Sequence, residues 1–157
     1  MLAYLFWHRP RKGADIDEYE EALRGFHAEL GSESACFRLA GLPFDPGPGY
    51  EDWYPVDEWS SLGRLNEAAV DSKRRAAHDH AAANAGAGWG GVYSLVRGAA
   101  EIPAGVEWFD KPRLVPTETF LADLPETTIW RRQLVLGPAP EFCVAAPSTV
   151  GRERIWP

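Results

Sequence analysis

"LAYLFWH" (residues 2–8), followed after a short turn by "GADIDEYEEALRGFHAELG" (13–31), decides how this chain is read. The first string is dense in aromatic and aliphatic residues and ends just before Pro10, the composition of a buried strand. The second places Ile16, Tyr19, Leu23, Phe26 and Leu30 at spacings of three, four, three and four, which is one face of an α-helix. Asp15 with Glu18 three residues on resembles a capping box, and Gly31 supplies the stop. A strand leading straight into a helix opens a βαβ unit.

Working outward, "ACFRLAGL" (35–42) is a short apolar run bounded by turn residues and reads as a second strand. "PFDPGPG" (43–49) is a loop, and "YEDWYPV" (50–56) a third strand in which Pro55 marks an edge or an end. Asp57 is expected to cap a helix on which Trp59, Leu62, Leu65 and Ala69 share a face. An alanine-rich helical piece follows to about residue 84, the cluster "GAGWGG" (86–91) ends it, and "VYSLVRG" (92–98) reads as a fourth strand. With right-handed crossovers, this order puts both helices on one face of a sheet. The expected fold class is therefore α+β, a ferredoxin-like βαββαβ unit over residues 1–98, with its other sheet face bare.

The second half offers a cover for that face. "FWHRPR" (6–11) returns as "WFDKPR" (108–113), then "PTETFLADL" (116–124) reads as a short helix. "TIWRRQLVLG" (128–137) matches the second strand, with Arg131 or Arg132 where Arg38 sits, and "PAPEFCVAAP" (138–147) matches the loop and third strand. Residues 106–147 are thus expected to form a truncated βαββ copy whose sheet packs face to face on the first, with 148–157 as a tail. The alternative is chance likeness between two proline-ended strands; agreement in element order favours the repeat. Because the copy lacks a helix and a strand, some sheet edge or face stays open, and a homodimer is expected.

The 157 residues suffice for a real core, burying roughly 70% of the unfolded surface. A 45% hydrophobic, 25% charged composition is that of a soluble globular protein, and a net charge of −7 argues against nucleic acid as a partner. The cluster Lys73-Arg74-Arg75 reads as a solvated helix end. No apolar run approaches the ~20 residues needed to span a bilayer, and the apolar start lacks the basic region of a signal peptide. Cys36 and Cys143 have no metal-ligand spacing and read as buried free thiols, so the expected compartment is cytoplasmic. Seven tryptophans imply either a heavy core or a lined pocket.

The stretch "WYPVDEWSSLGRLNEAAV" (53–70), with "AAHDHAAA" and "GAGWGGVYSLVRG" after it, resembles the dimeric α+β barrel superfamily. Its members include antibiotic-biosynthesis-type monooxygenases, EthD-like proteins and stress-responsive barrel proteins. The likeness covers residues 1–98 and is one of element pattern. It implies two sheets facing each other to close a barrel, between two chains or within one. No family's catalytic set maps onto this sequence residue by residue.

Strand alternation then proposes a site. Ala3, Leu5 and Trp7 share one face of the first strand, and Tyr4, Phe6 and His8 the other, whose polar tips suit a wet cavity. The expected ligand-binding residues are Tyr4, Phe6, Arg38, Tyr54 and Arg132, with His8 as the catalytic residue. A histidine beside arginines and tyrosines binds an anion or deprotonates an activated carbon acid. The plainer alternative leaves His8 in an ordinary hydrogen bond at a strand end, with Arg9 and Arg11 on the surface. His78 and His80, two apart on a helix, point about 200° from each other and are no chelating pair. His27 flanks the apolar stripe of the first helix and is expected to be partly exposed. The glycine cluster follows a helix and precedes a strand, the reverse of a phosphate cradle. No metal and no cofactor are therefore expected. Two functions follow: a small-molecule-binding protein or cofactor-independent enzyme with a pocket between two sheets, or a non-catalytic assembly module with a packed interior.

Overall fold

The computed structural model describes residues 1–157, apart from the side chains of residues 135 and 136. Along the chain run β1 (Leu2–Pro10), α1 (Ile16–Leu30), β2 (Ala35–Leu39), β3 (Gly49–Val56), α2 (Trp59–Ala69), α3 (Arg75–Asn84) and β4 (Ala85–Arg97). There follow β5 (Gly105–Phe109), α4 (Thr117–Ala122), β6 (Ile129–Leu136), β7 (Phe142–Ala146) and β8 (Arg152–Trp156). Helix α1 begins where Asp15 accepts the Glu18 amide at 3.0 Å and stops at Gly31, whose φ of 68° is the left-handed conformation glycine adopts freely. The expected Asp57 cap is corrected: the chain stays extended through Glu58, which starts α2 with no side-chain cap.

The strands form one eight-stranded antiparallel sheet in the order β5-β7-β6-β4-β1-β3-β2-β8. This overturns the expected fold class of a ferredoxin-like unit with a truncated copy packed face to face as an α+β barrel. Strands of the second half do not build a sheet of their own. They extend the first one through β4–β6 pairing, and residues 152–156 of the expected tail add β8 beside β2. The glycine cluster at 86–91, expected to end the helix as a loop, is instead the first half of β4, paired with β1.

The sheet curls. Trp7 on β1 and Trp108 on β5 lie four places apart in strand order, roughly 19 Å along a flat sheet, yet their rings meet edge to face at 5.2 Å. The concave side is filled by Ala3, Leu5, Trp7, Phe37, Trp53, Tyr93, Trp130 and Cys143, all buried. The sheet face expected to be bare is thus covered by the chain itself. Buried Glu51 accepts from Trp7 Nε1 at 2.9 Å and Trp53 Nε1 at 2.7 Å, and pairs with Arg152 Nη2 at 2.9 Å. The Arg152 guanidinium lies on the Phe37 ring and also donates to the carbonyls of Pro103 and Ala104, just before β5. Thr149 Oγ1 meets both backbone groups of Val106 at 2.7 Å. Residues around β8 therefore strap the two ends of the sheet together.

Helices cover the convex side. Tyr19, Ala22 and Leu23 of α1 pack with Ala81 of α3 over β2 and β3, while Phe120 and Leu121 of α4 pack over Ile129, Phe142 and Val144. No side chain of α2 is buried. Among the described residues, no helix is long and apolar enough to cross a membrane.

Candidate active site

Because side chains alternate along a strand, Tyr4, Phe6 and His8 of β1 point to the convex face while Leu5 and Trp7 enter the interior. Antiparallel register sets Tyr4 opposite Tyr54, Phe6 opposite Asp52 and His8 opposite Tyr50. The rings of Tyr54, Tyr4, Phe6, His8 and Tyr50 form a near-parallel run with centroid separations of 6.0, 6.3, 5.5 and 5.4 Å. The β4 glycines make this possible. A Cβ on Gly90 would lie 2.9 Å from Tyr4 Oη, and one on Gly88 would run into the Phe6 ring, so the rings lean across a bare backbone.

Above this aromatic floor the helices leave a cavity of about 710 Å³. Its roof is Leu23 and Phe26 of α1, Leu62 and Leu65 of α2, and Ala81 and Ala82 of α3. The volume falls in the range that encloses a small organic molecule, and the lining is mostly apolar with a few convergent polar groups.

Those groups centre on Asp52. Its Oδ2 lies 3.1 Å from His8 Nε2, its Oδ1 lies 3.2 Å from His27 Nε2, and Tyr54 Oη donates to Oδ2 at 3.1 Å. The Cys36 thiol lies beside the same carboxylate, within 4.8 Å. Burial alone would raise this carboxyl, but the two imidazoles opposite hold it well below the usual carboxylate range. A buried anion is costly unless it is fully hydrogen-bonded, and these donors supply the bonds. Both histidines carry an outer partner on Nδ1: Tyr19 Oη at 2.6 Å for His8 and Ser34 Oγ at 2.8 Å for His27. Burial first, then the charge of Asp52, pushes the Tyr19 phenol well above its ordinary value, so it keeps its proton. The Tyr54 phenol and the Cys36 thiol move up for the same reasons.

His8, Cys36 and Asp52 bring ligand atoms within 4.8 Å of one another, as a metal site would. The donor set fits a metal poorly. Asp52 already accepts from the N–H groups of His8 and His27 and from the Tyr54 O–H, each needing its proton for the bond it makes. Hydrogen bonding accounts for the cluster.

Of the residues proposed from sequence, Tyr4, Phe6, His8 and Tyr54 line this one cavity. It lies between sheet and helices, whereas the concave space is packed. Arg38 lies elsewhere, gripping Glu20 at 2.6 and 2.7 Å and Glu153 at 3.0 Å. Arg132 is bonded to the Ala139 carbonyl. His27, expected to be partly exposed, is buried. Asp52, Tyr19 and His27 escaped the sequence reading, although signals existed. Asp52 shares a strand face with Tyr50 and Tyr54, and His27 falls four residues after Leu23 and three before Leu30, within the buried stripe. His78 borders the cavity against Phe26 and bonds Asp79 at 3.0 Å; His80 lies 3.8 Å from Glu18. Compared with protein-family models, curated proteins and solved structures, the chain matches none.

Proposed function

We propose that this chain is a small-molecule-binding protein that carries out cofactor-independent proton transfer in the cavity beneath α1, α2 and α3. The observation that carries the reading is a buried Asp52 bonded to the imidazole of His8 at the wall of an apolar cavity. An aspartate in that place orients the ring and stabilises the imidazolium that forms when it takes a proton. The lining selects a neutral, largely apolar ligand bearing one acidic C–H or O–H. Tyr4, Phe6 and Tyr54 contact its body; Arg38 and Arg132 take no part. Two free buried cysteines support a reducing compartment, the cytoplasm, as the place of action.

The alternative of a non-catalytic assembly module draws on the packed tryptophan interior. The cavity on the opposite face, with its buried acid–base group, favours the binding reading. A panel of neutral phenols and carbon acids tested by ligand-induced thermal shift decides between them. At least one compound should raise the melting temperature, and Leu65→Trp, which fills the cavity from the roof, should abolish the rise. A native protein that responds to none, or a filled cavity that responds equally, sinks the proposal.

A further inference from the structure

Both nitrogens of the His8 ring are engaged, Nε2 on Asp52 at 3.1 Å and Nδ1 on Tyr19 Oη at 2.6 Å. An imidazole held in this way has no free lone pair for a ligand. With Nε2–H directed at the Asp52 carboxylate, the neutral tautomer of the ring accepts at Nδ1 from the Tyr19 hydroxyl. The Tyr19 oxygen still has acceptor capacity, and Tyr19 lines the cavity. We infer that Tyr19 is the catalytic residue that meets the ligand, and that His8 acts through it as the proton store.

The inference rests on the proton-transfer reading above and names the atom at which the transfer occurs. The ligand's X–H bond breaks and its proton passes to Tyr19 Oη. The Tyr19 hydroxyl proton moves to His8 Nδ1, and the electron pair stays on the ligand. Tyr19 ends as it began, His8 becomes an imidazolium, and Asp52 balances its charge from the far side. This is the logic of an activated hydroxyl, a base and an orienting carboxylate, with a phenol in the first place. The other groups facing His8 are engaged elsewhere or neutral. Tyr50, stacked on the ring, donates to Glu20 at 2.9 Å, and Tyr54 donates to Asp52. Cys36, whose thiol burial pushes up, lies beside the same carboxylate, and Phe6 flanks the ring.

The test uses the full chain and 5-nitrobenzisoxazole, a neutral planar carbon acid. Loss of its C3 proton breaks the N–O bond and releases a coloured phenolate. Binding is followed by equilibrium dialysis and conversion by absorbance, in water and in heavy water. If Tyr19 relays the proton, an exchangeable O–H moves in the transition state and conversion slows about twofold in heavy water. Tyr19→Phe then binds the probe equally but converts it at least about 100-fold more slowly. If His8 takes the carbon-bound proton directly, no exchangeable proton moves. Absence of a solvent isotope effect, or a Tyr19→Phe rate within threefold of native, overturns the inference and leaves the cavity reading standing. A native protein that binds the probe without converting it also overturns it. Failure of the native protein to bind any probe removes the cavity reading and the inference together. Should Tyr19→Phe not fold, the isotope effect on the native protein decides alone.

Discussion

Arg152 is a cation sealed inside the molecule, with a side chain 1% exposed against a Glu51 side chain at 0%. Such a pair contributes little net stability compared with apolar packing, yet removing one partner strands the other charge. Arg152→Ala is therefore expected to destabilise by about 3–5 kcal/mol in urea unfolding. The double change Arg152→Met with Glu51→Gln should regain only part of that loss, since the glutamine amide has one oxygen and accepts from one of Trp7 and Trp53, which bond different oxygens of Glu51. Glu20 gives a pH-dependent counterpart. Arg38's hydrogen bonds hold its carboxyl below the ordinary range, aided by Tyr50 and opposed by burial. Asp52 is held low as well. A carboxylate whose folded value is depressed stabilises above its unfolded value, near 4, and loses that contribution as pH falls through the folded value. Melting temperature should drop below about pH 4, and Glu20→Gln should be less stable than native at pH 6 and approach it as the pH falls through the depressed folded value of Glu20. Much at this scale was legible in sequence: Tyr4, Phe6, His8 and Tyr54 share a face by alternation alone. Their charged partner Asp52 was not singled out, because one acidic residue among aromatics gives no hint that two distant imidazoles will converge on it.

At the scale of elements, periodicity located helices well, and α1 runs where its apolar stripe and Gly31 put it. Gly25 lies within that helix with open space around its missing side chain. Gly25→Ala should therefore stabilise by about 0.5–1 kcal/mol by lowering the freedom of the unfolded chain. Gly88 and Gly90 are the opposite case. Alanine there meets Phe6 and Tyr4 and forces the rings off the strand, an overpacking cost of about 1–3 kcal/mol in thermal or urea unfolding. These glycines also explain why the start of β4 reads as a loop in sequence. Locally they signal a break; only the rings arriving from β1 make a glycine-rich strand the better solution, and that neighbour is about 80 residues away in sequence.

For the molecule as a whole, the sheet's membership was the illegible part. The repeated basic-Pro-Arg string and the element order are local facts, equally compatible with two stacked sheets or one continuous sheet. What decides is long-range pairing, β4 with β6 and β2 with β8, which no spacing in the sequence encodes. A single sheet strapped at both ends by Arg152 and Thr149 predicts one cooperative unit. Far-ultraviolet dichroism and tryptophan emission should trace the same urea transition, and a fragment of residues 1–98 should fail to fold alone. Two separate transitions would contradict this.

Successive residues of β1 serve opposite sides of the molecule: Ala3, Leu5 and Trp7 in the sealed interior, Tyr4, Phe6 and His8 beneath the helices. Durability and selectivity are thereby interleaved in one short segment without sharing a side chain. Even-numbered positions there can be reshaped to accommodate a different guest, while the odd-numbered ones keep the scaffold intact.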